Sequence, residues 1–207
     1  MTSSSKPNIS NIKVTYLNGR GKGQMIRILL RYLEVEFQDI IVEQISDSLR
    51  ATLPYGQLPI FEATINDDQP FLLAQCNSIC RYIAEKYDFA GKTDESKALS
   101  DEVINGIWDL IVMVVHTKDE EARLKLNSIT LPKFLNAFES KLTKNKFVSG
   151  EETTYADLLL FTAYDYIEFL GVEIERSKYP KLEELKSHFD SFPQIIDYKN
   201  KLPITKF

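Results

Sequence analysis

Residues 53–62 read Leu-Pro-Tyr-Gly-Gln-Leu-Pro-Ile-Phe-Glu, and residues 71–83 read Phe-Leu-Leu-Ala-Gln-Cys-Asn-Ser-Ile-Cys-Arg-Tyr-Ile. In the first segment Pro54, Gly56 and Pro59 punctuate a loop, and Ile60-Phe61 open an apolar strand immediately after it. Asn66-Asp67-Asp68 supplies a hairpin turn and Phe71-Leu72-Leu73 the returning strand. Gln75 to Lys86 then reads as a helix with Ile79, Tyr82 and Ile83 on one face. Gln57 stands at a strand entrance and Gln75 where a strand hands over to a helix. Such a junction offers unpaired backbone N–H groups and the positive end of the helix dipole, which suits a carboxylate. Extended backbone at 57–58 pairs with a peptide if Pro59 is cis and turns the chain sharply. By itself the stretch leaves open that both glutamines serve only as turn residues.

Upstream, Ile12 to Leu17 alternates like a strand, Asn18 to Gly23 forms a glycine-rich loop, and Met25 to Leu33 carries a helical stripe of Ile26, Leu29, Leu30 and Leu33. The outline resembles a phosphate-binding loop, but the Gly-Lys-Ser/Thr ending is missing and Gly-x-Gly-x-x-Gly does not fit. Phe37 to Val42 is the next strand, and Glu43 to Thr52 a polar connector with at most a short helical stretch. The result is β-α-β-β-α, without the Cys-x-x-Cys of a thiol–disulfide exchanger.

Downstream the pattern turns helical. The spacing predicts one long helix over 97–115 and a second over 129–142, with Pro132 in its first turn. A third is opened by a capping box of Thr154 and Asp157, and its run from Leu158 to Tyr166 is apolar nearly all round, as in a central buried helix. Tyr179-Pro180 and Phe192-Pro193 bracket a fourth, and Gln194 to Lys201 forms a short last one. An α/β domain over residues 1–86, a charge-rich linker over 87–96 and an all-helical domain over 97–207 follow from these periods.

Of 207 residues 27% are charged, for a net charge of -5, which argues against nucleic-acid binding because phosphate contacts need a basic surface. The longest apolar run, Leu110 to Val115, is far too short to span a bilayer, and the polar N-terminus does not resemble a signal peptide. Cys76 and Cys80, four residues apart, staple nothing distant and lack the histidines of a zinc site. A cytoplasmic protein with no membrane partner and no metal is expected.

Gln-Leu-Pro before a strand, the Gln-x-x-x-Ile-x-Arg-Tyr-Ile helix, and Tyr16 within Val-Thr-Tyr-Leu-Asn-Gly-Arg-Gly-Lys together resemble a cytosolic glutathione transferase, in its sigma-class version. The resemblance covers nearly the whole chain and implies a thioredoxin-like N-terminal domain followed by an all-helical domain. It makes Tyr16 the catalytic residue. A phenol, with a pKa near ~10, helps ionise a thiol only as a hydrogen-bond donor to the thiolate. Without the resemblance, a strand tyrosine reads as core. Arg50 then matches a lysine that reaches the glycine carboxylate of glutathione, although the tryptophan that precedes it in relatives is absent. Gln57, Leu58 and Pro59 match the grip on the cysteinyl-glycine backbone, and Gln75 the γ-glutamyl end. Cys76 replaces the usual serine, keeping the backbone N–H but exchanging a good hydroxyl donor for a weak thiol. A redox role for Cys76 is the alternative.

The resemblance further implies that Asp109 reaches across a homodimer axis to the γ-glutamyl ammonium of the other subunit; otherwise it is a surface acid. Lys22, Trp108, Ile111, His116 and Phe207 are implied for the second-substrate pocket, although a lone His116 also reads as an ordinary polar residue. Arg20 reads as a solvated loop residue. Asn105 and Trp108 stand where some relatives cluster acids for a metal, so none is expected. The implied activity is attack of glutathione thiolate on an apolar electrophile. Isomerisation of a lipid endoperoxide, a non-catalytic ligand-binding or structural protein of the same fold, and a thioredoxin-like adaptor are the alternatives.

Overall fold

A computed structural model describes residues 8–202, which fold as two compact units: 8–88 with 197–202, and 89–196. In the first unit β1 (Ile9–Leu17), α1 (Gly21–Tyr32), β2 (Gln38–Val42), α2 (Asp47–Thr52), β3 (Ile60–Ile65), β4 (Gln69–Ala74) and α3 (Cys76–Lys86) follow one another. The sheet order is β2-β1-β3-β4. β1 pairs parallel with β2, which requires the α1 crossover, while β1–β3 and β3–β4 are antiparallel. This is the thioredoxin-like arrangement expected. Asn66 and Asp67 turn the β3–β4 hairpin at φ 51° and 73°, a left-handed region these two side chains tolerate.

The core lies where α1 and α3 cover the sheet. Val14, Ile26, Leu29, Leu30, Phe61 and Ile79 are wholly buried there. Each such side chain contributes about 1.5–3 kcal/mol from burial. A smaller apolar cluster of Leu53, Leu58 and Ile60 packs with Tyr16, Val42, Ile45 and Leu49. It fastens the 53–59 loop to the end of β1.

The second unit contains α4 (Asp94–His116), α5 (Glu120–Lys125), α6 (Leu131–Lys144), α7 (Tyr155–Phe169) and α8 (Pro180–Asp190), with α9 (Pro193–Asn200) running out of it. α7 packs against α4 and α8, and every residue from Leu158 to Ala163 is buried. Its capping box is formed: Asp157 Oδ2 accepts from the Thr154 N–H at 2.8 Å, and Oδ1 accepts from the Val148 N–H at 2.8 Å. Among the described residues no helix is long and apolar enough to cross a membrane.

Four expectations need correction. α1 begins at Gly21, so Gly21 to Gly23 is helix and not loop. α4 starts at Asp94, ahead of the expected Lys97, because Thr93 and Ser96 form a capping box and Asp94 and Glu95 favour the positive helix end. α5 was not foreseen: too short for an apolar stripe, it is set by Asp119 accepting from the Ala122 N–H at 2.8 Å. The last described residues belong with the first unit, where Tyr198 lies within electrostatic reach of Arg27 and Asp39.

Candidate active site

Tyr16 stands at the end of β1, and α1 begins five residues later. The first turn of that helix has N–H groups with no intrahelical acceptor. One of them, the Lys22 N–H, donates to the Tyr16 hydroxyl oxygen at 3.3 Å. The ring lies against Gly23, where a Cβ would stand 2.2 Å from Tyr16 Cδ1. The Arg27 guanidinium lies 5.8 Å from the ring centroid. Arg27 also donates to the Gly19 carbonyl at 2.9 Å and pairs with Asp39 of β2 at 2.9 Å. This buried arginine therefore ties the β1–α1 turn to the neighbouring strand.

Opposite, Leu53 to Gly56 make a tight turn, with Tyr55 and Gly56 at φ 57° and 60°. Arg50 donates to the Gly56 carbonyl at 3.0 Å and so braces that turn. Gln57 is exposed with extended backbone, and the Leu58-Pro59 bond is cis. Gln75, the residue before α3, has φ 72° and ψ 115°, a region costly for any side chain but glycine. Backbone strain of about 1–3 kcal/mol persists where surrounding structure imposes it, and such places cluster at ligand sites. Lys22, Pro54, Gln57, Leu58, Pro59, Ala74 and Gln75 surround a small cleft. The structure thus brings together Lys22, Gln57, Leu58, Pro59 and Gln75, with Tyr16 joined through its bond from Lys22.

Cys76 is buried, and its thiol donates to the Lys22 carbonyl at 3.3 Å. Its backbone N–H remains in the first turn of α3, where an anionic ligand group is favoured. Cys80 is buried as well, and burial first, then its contacts with Cys76, push its thiol pKa well up. Arg20 is not the solvated residue expected, since its Nε is buried.

Four further candidates lie on α4 in the second unit. Asp109 and His116 are exposed on α4, Trp108 is half-buried, and Ile111 is buried. Phe207 lies outside the described residues. Sequence reasoning passed over Gly23, Arg27 and Asp39. Gly23 looked like loop punctuation, and only the spacing of Gly23 and Arg27, one helical turn apart beside Tyr16, pointed to a shared face.

What the cleft offers is an extended backbone at Gln57, the start of α3 at Gln75 and, bonded to Lys22 on its edge, the Tyr16 phenol. A family model described as the N-terminal domain of glutathione S-transferase matches residues 12–85, and one for its C-terminal domain matches residues 101–201. A putative glutathione S-transferase alpha-2 of Dictyostelium discoideum is 40% identical over the full length of both chains. The chain belongs to the glutathione S-transferase family. A class-mu 28 kDa transferase of Schistosoma japonicum is 27% identical, covering 95% of this chain and all of that one. Among solved structures, rat hPGDS complexed with a quinoline superposes with a TM-score of 0.82 at 25% identity, over 95% of this transferase and all of that chain. A Necator americanus transferase described as monomeric gives 0.80, also at 25% identity and with the same coverage. The class names among these relatives differ, alpha in one and mu in another.

Proposed function

We propose that this transferase holds glutathione in the cleft beside Lys22, that Tyr16 stabilises the bound sulfur as thiolate, and that the thiolate attacks an apolar electrophile. The observation that carries the reading is the Lys22 N–H donating to the Tyr16 hydroxyl oxygen beside the cleft. A hydroxyl that accepts from a backbone N–H becomes a stronger donor in its turn. Donated to sulfur, that hydrogen favours the anion over the thiol, whose proton leaves to solvent. Attack forms a carbon–sulfur bond as the electrophile's leaving group departs with its electron pair.

In this reading the first turn of α3 receives the γ-glutamyl carboxylate on its N–H groups, with Gln75 beside it. Leu58 pairs its backbone with the cysteinyl amide, while Gln57 and Pro59 shape that edge. Arg50 serves the glycine carboxylate with the donors not spent on Gly56. On α4, Trp108, Ile111 and His116 are the residues assigned to the electrophile. A sigma-like, cytoplasmic homodimer completes the proposal. The dimer is supported by exposed Val112 and Met113, three and four residues on from Asp109 and so on the same face of α4, an apolar surface suited to a second copy of the chain.

The test is retention on immobilised glutathione together with conjugation of a generic aryl halide. Tyr16→Phe is expected to bind glutathione nearly as well and to raise the barrier to turnover by about 1–3 kcal/mol. Full activity of that variant at neutral pH rules Tyr16 out as the activator. The likeness to rat hPGDS supports a second reading, glutathione-dependent isomerisation of a lipid endoperoxide. Turnover of such a substrate without consumption of glutathione distinguishes it.

A further inference from the structure

We infer that Gly23 is a positioning residue for Tyr16: its missing side chain lets the first turn of α1 close on the tyrosine and so sets where the hydroxyl points. The inference rests on Tyr16 being the donor to the glutathione sulfur. A Cβ at Gly23 would lie 2.2 Å from Cδ1, 2.5 Å from Cγ and 2.9 Å from Cβ of Tyr16. These atoms are the root of the side chain, so a small swing of the ring does not relieve the overlap. Tyr16 Cβ is fixed by β1, whose residue 16 pairs with Ile41 of β2. The helix must therefore retreat or the ring must leave its rotamer.

Either movement breaks the same geometry. The N–H on the hydroxyl belongs to Lys22, the residue just before Gly23, so a retreating helix takes that donor away. The helix is also anchored nearby through Arg27, which grips Gly19 and Asp39 and lies over the same ring. Retreat is thus opposed at the next turn, and the ring takes much of the displacement. A hydroxyl aimed at sulfur tolerates little error, since a shift of about 1 Å costs up to about a hundredfold in rate. By helix propensity alone, alanine in the first turn of a helix is no worse than glycine. Loss of activity from Gly23→Ala therefore has no explanation in secondary structure.

The experiment measures the pKa of the bound glutathione thiol by ultraviolet difference absorbance, with kcat and glutathione KM, in wild type, Gly23→Ala, Tyr16→Phe and the double variant. Gly23→Ala is expected to raise the bound thiol's pKa and lower kcat by roughly tenfold or more, with KM little changed. In the Tyr16→Phe background the same substitution should leave the thiol's pKa where Tyr16→Phe alone puts it, because there is no hydroxyl left to misplace. A silent Tyr16→Phe overturns the activator reading itself. A damaging Tyr16→Phe beside a silent Gly23→Ala, or additive effects in the double variant, overturns the role of Gly23. Should Gly23→Ala fail to fold, the wild type still decides. A ring held against Gly23 flips slowly and gives separate NMR signals for its two edges, and rapid averaging of the Tyr16 ring contradicts the inference.

Discussion

Cys76 shows how one atom's partner alters the reading of a residue. In sequence it stands where relatives use a serine hydroxyl on glutathione, which makes it a weakened ligand contact. In the structure its thiol points to the Lys22 carbonyl instead, across a separation of 54 residues. The backbone of Lys22 is consequently held on both sides of its Cα, its N–H on Tyr16 and its carbonyl by Cys76. A serine hydroxyl keeps that donation or turns to the ligand, and both outcomes are benign. Cys76→Ser should hold or improve glutathione affinity by ~1 kcal/mol or less, as read by titration calorimetry. A large loss of affinity assigns the sulfur a role of its own, such as redox control.

At the scale of an element, the entry to α7 concentrates polar groups inside the helical unit. Asp157 is fully buried, and its two oxygens take three donors: the Val148 N–H, the Thr154 N–H and the Thr154 hydroxyl. Burial pushes its pKa up to about 6, against the donors, which favour the anion. For an acid with a raised folded value, the native state binds more protons than the unfolded chain between about 4 and about 6. Its contribution to stability therefore falls as pH rises through that window. Asp157→Asn should cost about 1–3 kcal/mol at neutral pH, because an amide nitrogen cannot accept from one of those donors. Urea midpoints across the acid range check both parts: the variant should also lack the wild type's decline between about pH 4 and pH 6. Parallel pH profiles for the two proteins would remove Asp157 as the titrating group.

At the scale of the molecule, α4 carries Asp109 on its exposed side with Val112 and Met113 on the same face, exposed to 49% and 42%. Two half-exposed apolar side chains beside an acid form a surface that a second copy of the chain can cover. If each site borrows Asp109 from the opposite subunit, Asp109→Asn weakens glutathione binding while the dimer persists, because a charge-assisted contact is lost and packing is kept. Mixing Asp109→Asn subunits with Tyr16→Phe subunits gives heterodimers with one site carrying both defects and one carrying neither. One normal site per mixed dimer is the expected titration result. A monomer by sedimentation, the state described for the Necator americanus relative, or two equally impaired sites, sinks the proposal.

The β-α-β-β-α order, the hairpin at Asn66-Asp67, the cap at Thr154 and the buried run of α7 were legible from residues alone. Each is written within a few neighbours, in a period, a turn residue or a cap. The strand entrance at Gln57 and the helix start at Gln75 could be read the same way, but any role for them came only with the family resemblance. The short α5 and the early start of α4 escaped for a related reason: their signal is a single cap without an apolar stripe. Tertiary structure alone decided that Gly23 carries the Tyr16 ring, that Cys76 faces Lys22, that Arg27 reaches Asp39, and that residues 197–202 join the first unit. These depend on which surfaces the folded chain brings within a few ångströms, and no local propensity encodes a distance between residues far apart in sequence.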